Sequence, residues 1–116
     1  MSCLELDDDE ARRIAEPMMD DAMAGVARRD YALHARHFSV ALKGALPSDD
    51  FLAMCDRHGT RLGAPGARAL VCIFRKPRSF TMIWHQPFER DEGETLVMAT
   101  IALKGGRYFM DHFLLH

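Results

Sequence analysis

The sequence is poor in the residues that make disulfide scaffolds, metal clusters and membrane spans. Its three cysteines, Cys3, Cys55 and Cys72, are scattered and form no CxxC pair. That excludes a disulfide framework and fits reduced thiols. No apolar run approaches the roughly 18 residues of a membrane span. Asp7-Asp8-Asp9-Glu10 stands where a signal peptide would carry basic residues and then an apolar stretch. The expected location is the cytoplasm, without membrane attachment. There is no GxGxxG, P-loop, GxSxG or HExxH, so nucleotide, serine-hydrolase and zinc-protease chemistry have no motif to rest on. No cofactor and no metal are expected. Lysine is scarce, 3 against 12 arginines, a bias read as that of a GC-rich bacterium.

What is present is an ordinary globular composition, 48% hydrophobic in 116 residues, enough for one domain. The net charge of −2 hides a split. Residues 1–50 hold 11 acids and 6 bases, residues 51–78 hold 1 acid and 6 bases, and residues 79–116 hold 5 acids and 3 bases. The chain is not basic overall, and aromatics are not interleaved with its basic stretch, so nucleic acid is not an expected partner.

Residues 1–9 are expected to fray, and 10–116 to form a single domain. Ala11, Ile14, Ala15, Met18, Ala22 and Val26 share one helical face. They predict a helix to about Arg29, with Pro17 inside it. Asp30 can cap a second, short helix from Tyr31 to Phe38, and Ser39–Leu46 reads as a connector. Pro47-Ser48-Asp49-Asp50 starts a third helix with Ser48 as its cap. Phe51, Met54, Cys55, His58 and Leu62 line its apolar face, and Gly63 and Pro65 stop it. Beyond Gly66 the period falls to two. Strands are expected at Ala69–Phe74, Phe80–Phe88, Thr95–Leu103 and Arg107–Leu115, with Gly105-Gly106 as a two-residue hairpin. The fold class is therefore α+β: three N-terminal helices packed on one face of a four-stranded antiparallel meander.

Arg29-Asp30-Tyr31, Phe38-Ser39, Ala45-Leu46-Pro47, Phe51 and Leu62-Gly63, ahead of four strands, resemble small bacterial proteins of the nuclear-transport-factor-2-like (cystatin-like) superfamily. The resemblance covers residues 10–116. It implies a curved sheet around the helices, with a cone-like pocket between the layers and frequent dimers. Members include enzymes, ligand binders and scaffold subunits, so the fold does not supply the function. The acidic, His or Tyr groups of the steroid-isomerase and polyketide-cyclase relatives have no residue-by-residue match here.

A two-residue turn at Gly105-Gly106 predicts that Leu103 pairs with Tyr108, Ile101 with Met110, Ala99 with His112 and Val97 with Leu114. Trp84, Gln86, Tyr108 and His112 then share the helix-facing side, as candidate ligand-pocket residues. The opposite face would carry Ile83, His85, Leu96, Met98, Thr100, Phe109, Asp111, Phe113 and Leu115. That is too apolar for a solvated face, and it points to a two-fold homodimer. A one-residue slip would exchange the two faces.

Other constellations carry both a functional and a plain reading. His34 and His37 have an i, i+3 spacing that can hold a metal, or are surface histidines. Cys55 with His58 could form a nucleophile pair, or Cys55 is a buried hydrophobe. Arg57, Arg61, Arg75 and Arg78 form a candidate anion-binding rim, or a face balanced by the acidic first helix. Two functions follow as expectations. One is a non-catalytic small-molecule-binding or interaction domain, homodimeric through its outer sheet face. The other is a small isomerase or dehydratase with His112, Tyr108 and Tyr31 as its catalytic groups.

Overall fold

The computed structural model describes residues 2–116, with the backbone alone at 59 and 60. Four strands, β1 (Ala69–Lys76), β2 (Ser79–His85), β3 (Leu96–Lys104) and β4 (Arg107–Leu115), form one antiparallel sheet in sequence order. Helices precede it, as expected for an α+β domain: α1 (Asp8–Arg28), α2 (Tyr31–His34), α3 (Val40–Ala45), α4 (Ser48–Arg57) and α5 (Gly59–Leu62). No helix among the described residues is long and apolar enough to cross a membrane.

α1 begins with a capping box. The Glu10 N–H donates to Asp7 Oδ1 at 2.8 Å, and the Asp7 N–H donates to Glu10 Oε1 at 3.2 Å. The buried face is Ala11, Ala15, Met19, Ala22, Met23 and Val26. Pro17 lies on the exposed side of an unbroken helix. The Arg13 carbonyl that loses its partner there can turn to water. Part of the stretch expected to fray makes contacts with the domain. Cys3 is fully buried in a 3-10 turn, Cys3–Glu5, and its N–H donates to the Pro77 carbonyl at 2.9 Å. Met1 lies outside the described residues.

The helical layer differs from the three-helix expectation in two places. The supposed connector contains α3, capped by Ser39, whose Oγ accepts the Leu42 N–H at 3.1 Å. The expected third helix breaks at His58 into α4 and α5. Its cap position is Pro47, with no side-chain bond, instead of Ser48. Ser39 does a second job, donating to Asp111 Oδ1 at 2.6 Å. Beside it the Met110 N–H donates to the His37 carbonyl and the Ser39 N–H to the Met110 carbonyl, so residues 37–39 extend the sheet past β4. Ser39→Ala removes the cap and the carboxylate bond together. It should lower stability by about 1–2 kcal/mol, read as a lower denaturant midpoint at unchanged slope.

The Gly105-Gly106 hairpin matches its expectation. Both glycines have positive φ, 58° and 77°, as a type I′ turn requires, and Leu103 pairs with Tyr108 and Ile101 with Met110. Beyond that point the expected register fails. β4 carries a bulge in which Asp111 is the extra residue, so Thr100 pairs with His112, Ala99 with Phe113 and Val97 with Leu115. Every later side chain changes face. A second bulge, at Val71 in β1, breaks the pairing between Leu70 and Cys72.

The inner face carries Trp84, Met82, Phe80, Val97, Ala99 and Ile101, all buried under the helices together with Phe51, Met19 and His34. On the outer face Cys72, Ile83, Met98 and Thr100 are half-buried, and Val71, Phe74 and Leu114 are exposed. The shortest extent of the molecule is 17 Å, room for one sheet and one helical layer.

Candidate functional site

Three concavities among the described residues bear on the candidate site residues. The largest is a groove of about 620 Å³ where the start of α1 faces the β3–β4 hairpin. Glu10, Arg13 and Ile14 project from one face of the first turns of α1, at i, i+3 and i+4. Leu6 leads into that helix, Leu103 and Tyr108 are cross-strand partners, and Arg78 comes from the β1–β2 turn. Burial raises the Tyr108 hydroxyl above its usual pKa, and the neighbouring Cys3 and Glu10 add to this. It is thus a neutral donor at physiological pH. Among the described residues no side-chain hydrogen bond uses it, and neither Arg13 nor Arg78 has a carboxylate within 4.0 Å.

The second concavity, of about 450 Å³, lies at the far end of the sheet, between Val71, Ile83, His85, Glu94, Leu96 and His116. Asp91 stands close to it and accepts from Thr95 Oγ1 at 2.6 Å and from the Gly93 N–H at 3.0 Å. These two bonds hold its carboxyl below the ordinary range. His58 is pushed down, first by burial and then by Arg57. Among the described residues no cluster of three His, Cys, Asp or Glu could hold a metal ion. The third place is a shallow notch beside α4 that includes Asp50, Arg57 and Phe113.

The expected pocket set does not assemble. Tyr108 lines the first groove. Trp84 is buried in the core and borders the second concavity, and Gln86 is a buried clamp, its Nε2 donating to the Gly66 and Pro87 carbonyls at 2.9 Å each. His112 is a correction: the Asp111 bulge turns it to the outer face, where it is exposed. Tyr31 donates its hydroxyl to the Leu46 carbonyl at 2.8 Å. The three candidate catalytic groups, His112, Tyr108 and Tyr31, therefore stand at three separate places.

The bulge also divides the candidate dimer face. Ile83, His85, Met98 and Phe109 lie outside, as expected. Phe113 and Leu115 are corrections, because both point inward: Leu115 is buried and Phe113 meets the His34 ring. His112 and Leu114 take their places outside. Asp111 sits at the bulge, bonded to Ser39 and, at 3.0 Å, to Lys104 Nζ. The Ser39 bond, more than the lysine, holds its carboxyl low.

The candidate anion rim is also divided. Arg75 is committed to α1, through Asp8 at 2.5 Å and the Leu6 carbonyl at 2.7 Å. Arg68 likewise bonds Glu16 and Asp20. The acidic helix thus neutralises part of the basic stretch. Arg78 borders the groove, whereas Arg57 and Arg61 belong to the α4–α5 end. His34 and His37 do not converge. His34 is buried, and His37 Nε2 meets Asp21 at 2.8 Å. Burial raises the Cys55 thiol, so it is not a thiolate at neutral pH.

The sequence pattern places Ile14 on the apolar face of the first helix and Glu10 in its acidic first turn, and it gives Arg13 no role, so none of the three stands out as a groove residue. Their shared helical face was the available signal. Searches of protein-family models, of characterised proteins and of solved structures gave no match to this chain.

Proposed function

We propose that this domain is a non-catalytic binding module that acts as a homodimer through its outer sheet face, on a nuclear-transport-factor-2-like framework. The framework rests on the motif resemblance, with which the helices-then-meander order is compatible. The observation that carries the dimer is the composition of that outer face. Cys72, Ile83, Met98 and Leu114 form one row across all four strands. Flanking them, Val71 is 65% exposed and Phe74 60%. An apolar surface that spans a whole sheet is a feature of interfaces, not of lone monomers.

The size is adequate. Four strands of this length present a footprint on the order of 500 Å². With side-chain relief this approaches the ~800 Å² per partner of a standard interface. A two-fold operator would set the apolar row against its own copy, with Lys104 and Asp111 at the rim. The separation of His112, Tyr108 and Tyr31 supports binding over acid–base turnover, which needs its groups within hydrogen-bond reach of one substrate.

Light scattering on the purified chain should give about twice 13.1 kDa at micromolar concentration. Ile83→Glu, which places a charge in the row, should halve that mass and leave the circular dichroism unchanged. A wild-type chain that stays monomeric at about 100 µM, which means an association free energy weaker than about −5.5 kcal/mol, would overturn the reading.

A further inference from the structure

We propose that the groove between α1 and the β3–β4 hairpin binds a medium-chain aliphatic carboxylate, with its carboxylate between Arg13 and Arg78 and its chain along Leu6, Ile14 and Leu103. This rests on the binding-module reading and names the ligand class of that module. Three observations converge on it. Leu6, Ile14 and Leu103 make part of the wall aliphatic, and the volume of about 620 Å³ is that of a small-molecule site. The two guanidiniums of the lining have no carboxylate within 4.0 Å among the described residues; Arg13 makes one long bond, from Nε to the Asp9 carbonyl at 3.4 Å, and feels the Asp7 charge from farther off. By contrast, Arg68 and Arg75, which lie against the same helix, are paired with its acids. The third polar group is the Tyr108 hydroxyl, held neutral and without a side-chain partner.

The charges select an anion. Arg13 and Arg78 bring two positive charges, and the single acid among the lining residues is Glu10. One oxygen of that acid already accepts the Asp7 N–H in the capping box. Two guanidiniums and a hydroxyl supply directed N–H and O–H donors to both oxygens of a carboxylate. An alcohol or an amine with the same chain cannot use them, and an amine would be repelled. Leu6, Ile14 and Leu103 offer no polar partner to the rest of the ligand, so that part must be hydrocarbon.

The test is isothermal titration of the intact chain with decanoate, decanol and decylamine. Decanoate should bind at least ten-fold more tightly than decanol, and decylamine should not bind measurably. From hexanoate to decanoate, affinity should rise by up to about four-fold per methylene. The double variant R13Q/R78Q should lose at least ten-fold in decanoate affinity and bind decanol unchanged. Tyr108→Phe should lose a smaller factor, about five-fold. Equal affinity for decanoate and decanol, no decanoate binding, or unchanged binding by R13Q/R78Q would each overturn the proposal. The dimer is read separately by mass. A dimeric protein that ignores decanoate sinks this ligand assignment alone, whereas a monomer that binds it sinks the dimer alone. Ile83→Glu should bind decanoate as the wild type does, since its face is opposite the groove.

Discussion

Gly25→Ala should leave the chain unable to hold its native fold at 37 °C. Gly25 lies in the last turns of α1, where α2 crosses at the closest approach the backbones can make. A Cβ at this position would stand 2.5 Å from the His34 N and 2.6 Å from its Cα. Carbon atoms pack at about 3.5–4.0 Å. The obstruction is backbone, so no side-chain rotamer relieves it. Nor can α2 swing away freely. Arg29 turns the chain in the left-handed region, φ 53°, and the Asp30 N–H bonds the Gly25 carbonyl at 2.9 Å, so two residues join the crossing helices. Separating the helices would also pull His34 from the Ala22 carbonyl and from the Phe51 ring, 4.6 Å away between centroids. Overpacking costs about 1–3 kcal/mol and occasionally more, and an obstruction made of backbone lies at the upper end, a large share of the roughly 5–15 kcal/mol that holds a domain together. Gly44 gives the opposite result. A Cβ there meets nothing within 4 Å, so Gly44→Ala should stabilise α3 by about 0.5–1 kcal/mol. Equilibrium denaturation of the two variants checks both signs. A Gly25→Ala midpoint equal to the wild type would refute the close-crossing account.

The contrast between these two glycines also marks what the sequence could disclose. Gly105-Gly106 was legible because a tight hairpin demands positive φ at both positions, a local requirement. The α1 face was legible for a similar reason, since helical periodicity is carried by near neighbours. Gly25 was silent. Its role depends on a crossing helix, and a lone glycine near a helix end reads as an ordinary terminus signal. The bulge at Asp111 was silent for a deeper reason. Asp111 is held by Ser39, 72 positions away, and the pairing of a strand with a distant loop leaves no trace in period-two alternation. That one residue moved His112 out of the pocket and Phe113 and Leu115 into the core, so the site assignment failed beyond it while the strand itself was placed correctly. The same blindness hid α3, whose cap at Ser39 stands before only six helical residues, too few for periodicity to register.

His34 should make the domain acid-labile well above the carboxylate range. The ring is 1% exposed and lies among three aromatic rings, Phe38, Phe51 and Phe113, at 5.1, 4.6 and 4.8 Å. Nδ1 stands 2.7 Å from the Ala22 carbonyl, so Nδ1 carries the proton and donates it. Nε2 is a bare acceptor with no partner among the described residues. Protonating it would place a cation among apolar rings. Burial therefore pulls the pKa from 6.5 to about 4, and the bond to Ala22 offsets only part of that. Above pH 6.5 neither the folded nor the unfolded chain binds the proton, and His34 adds no pH dependence. Below it the unfolded chain takes the proton first, so stability falls by about 1.4 kcal/mol per pH unit. The fall ends near the folded pKa of about 4, after a loss on the order of 3 kcal/mol. His58, pushed in the same direction by burial, steepens the fall through this window. Asp21, Asp91 and Asp111 have lowered pKa values, so their contribution is present above the ordinary carboxylate range and is lost only below it, at lower pH than His34 acts. His34→Gln is neutral at every pH and retains an N–H for the Ala22 carbonyl. Its unfolding free energy should fall less than the wild type's between pH 7 and 4.5, by about 2–3 kcal/mol. If the two proteins lose stability in parallel over that interval, the buried ring is not the acid-sensitive element.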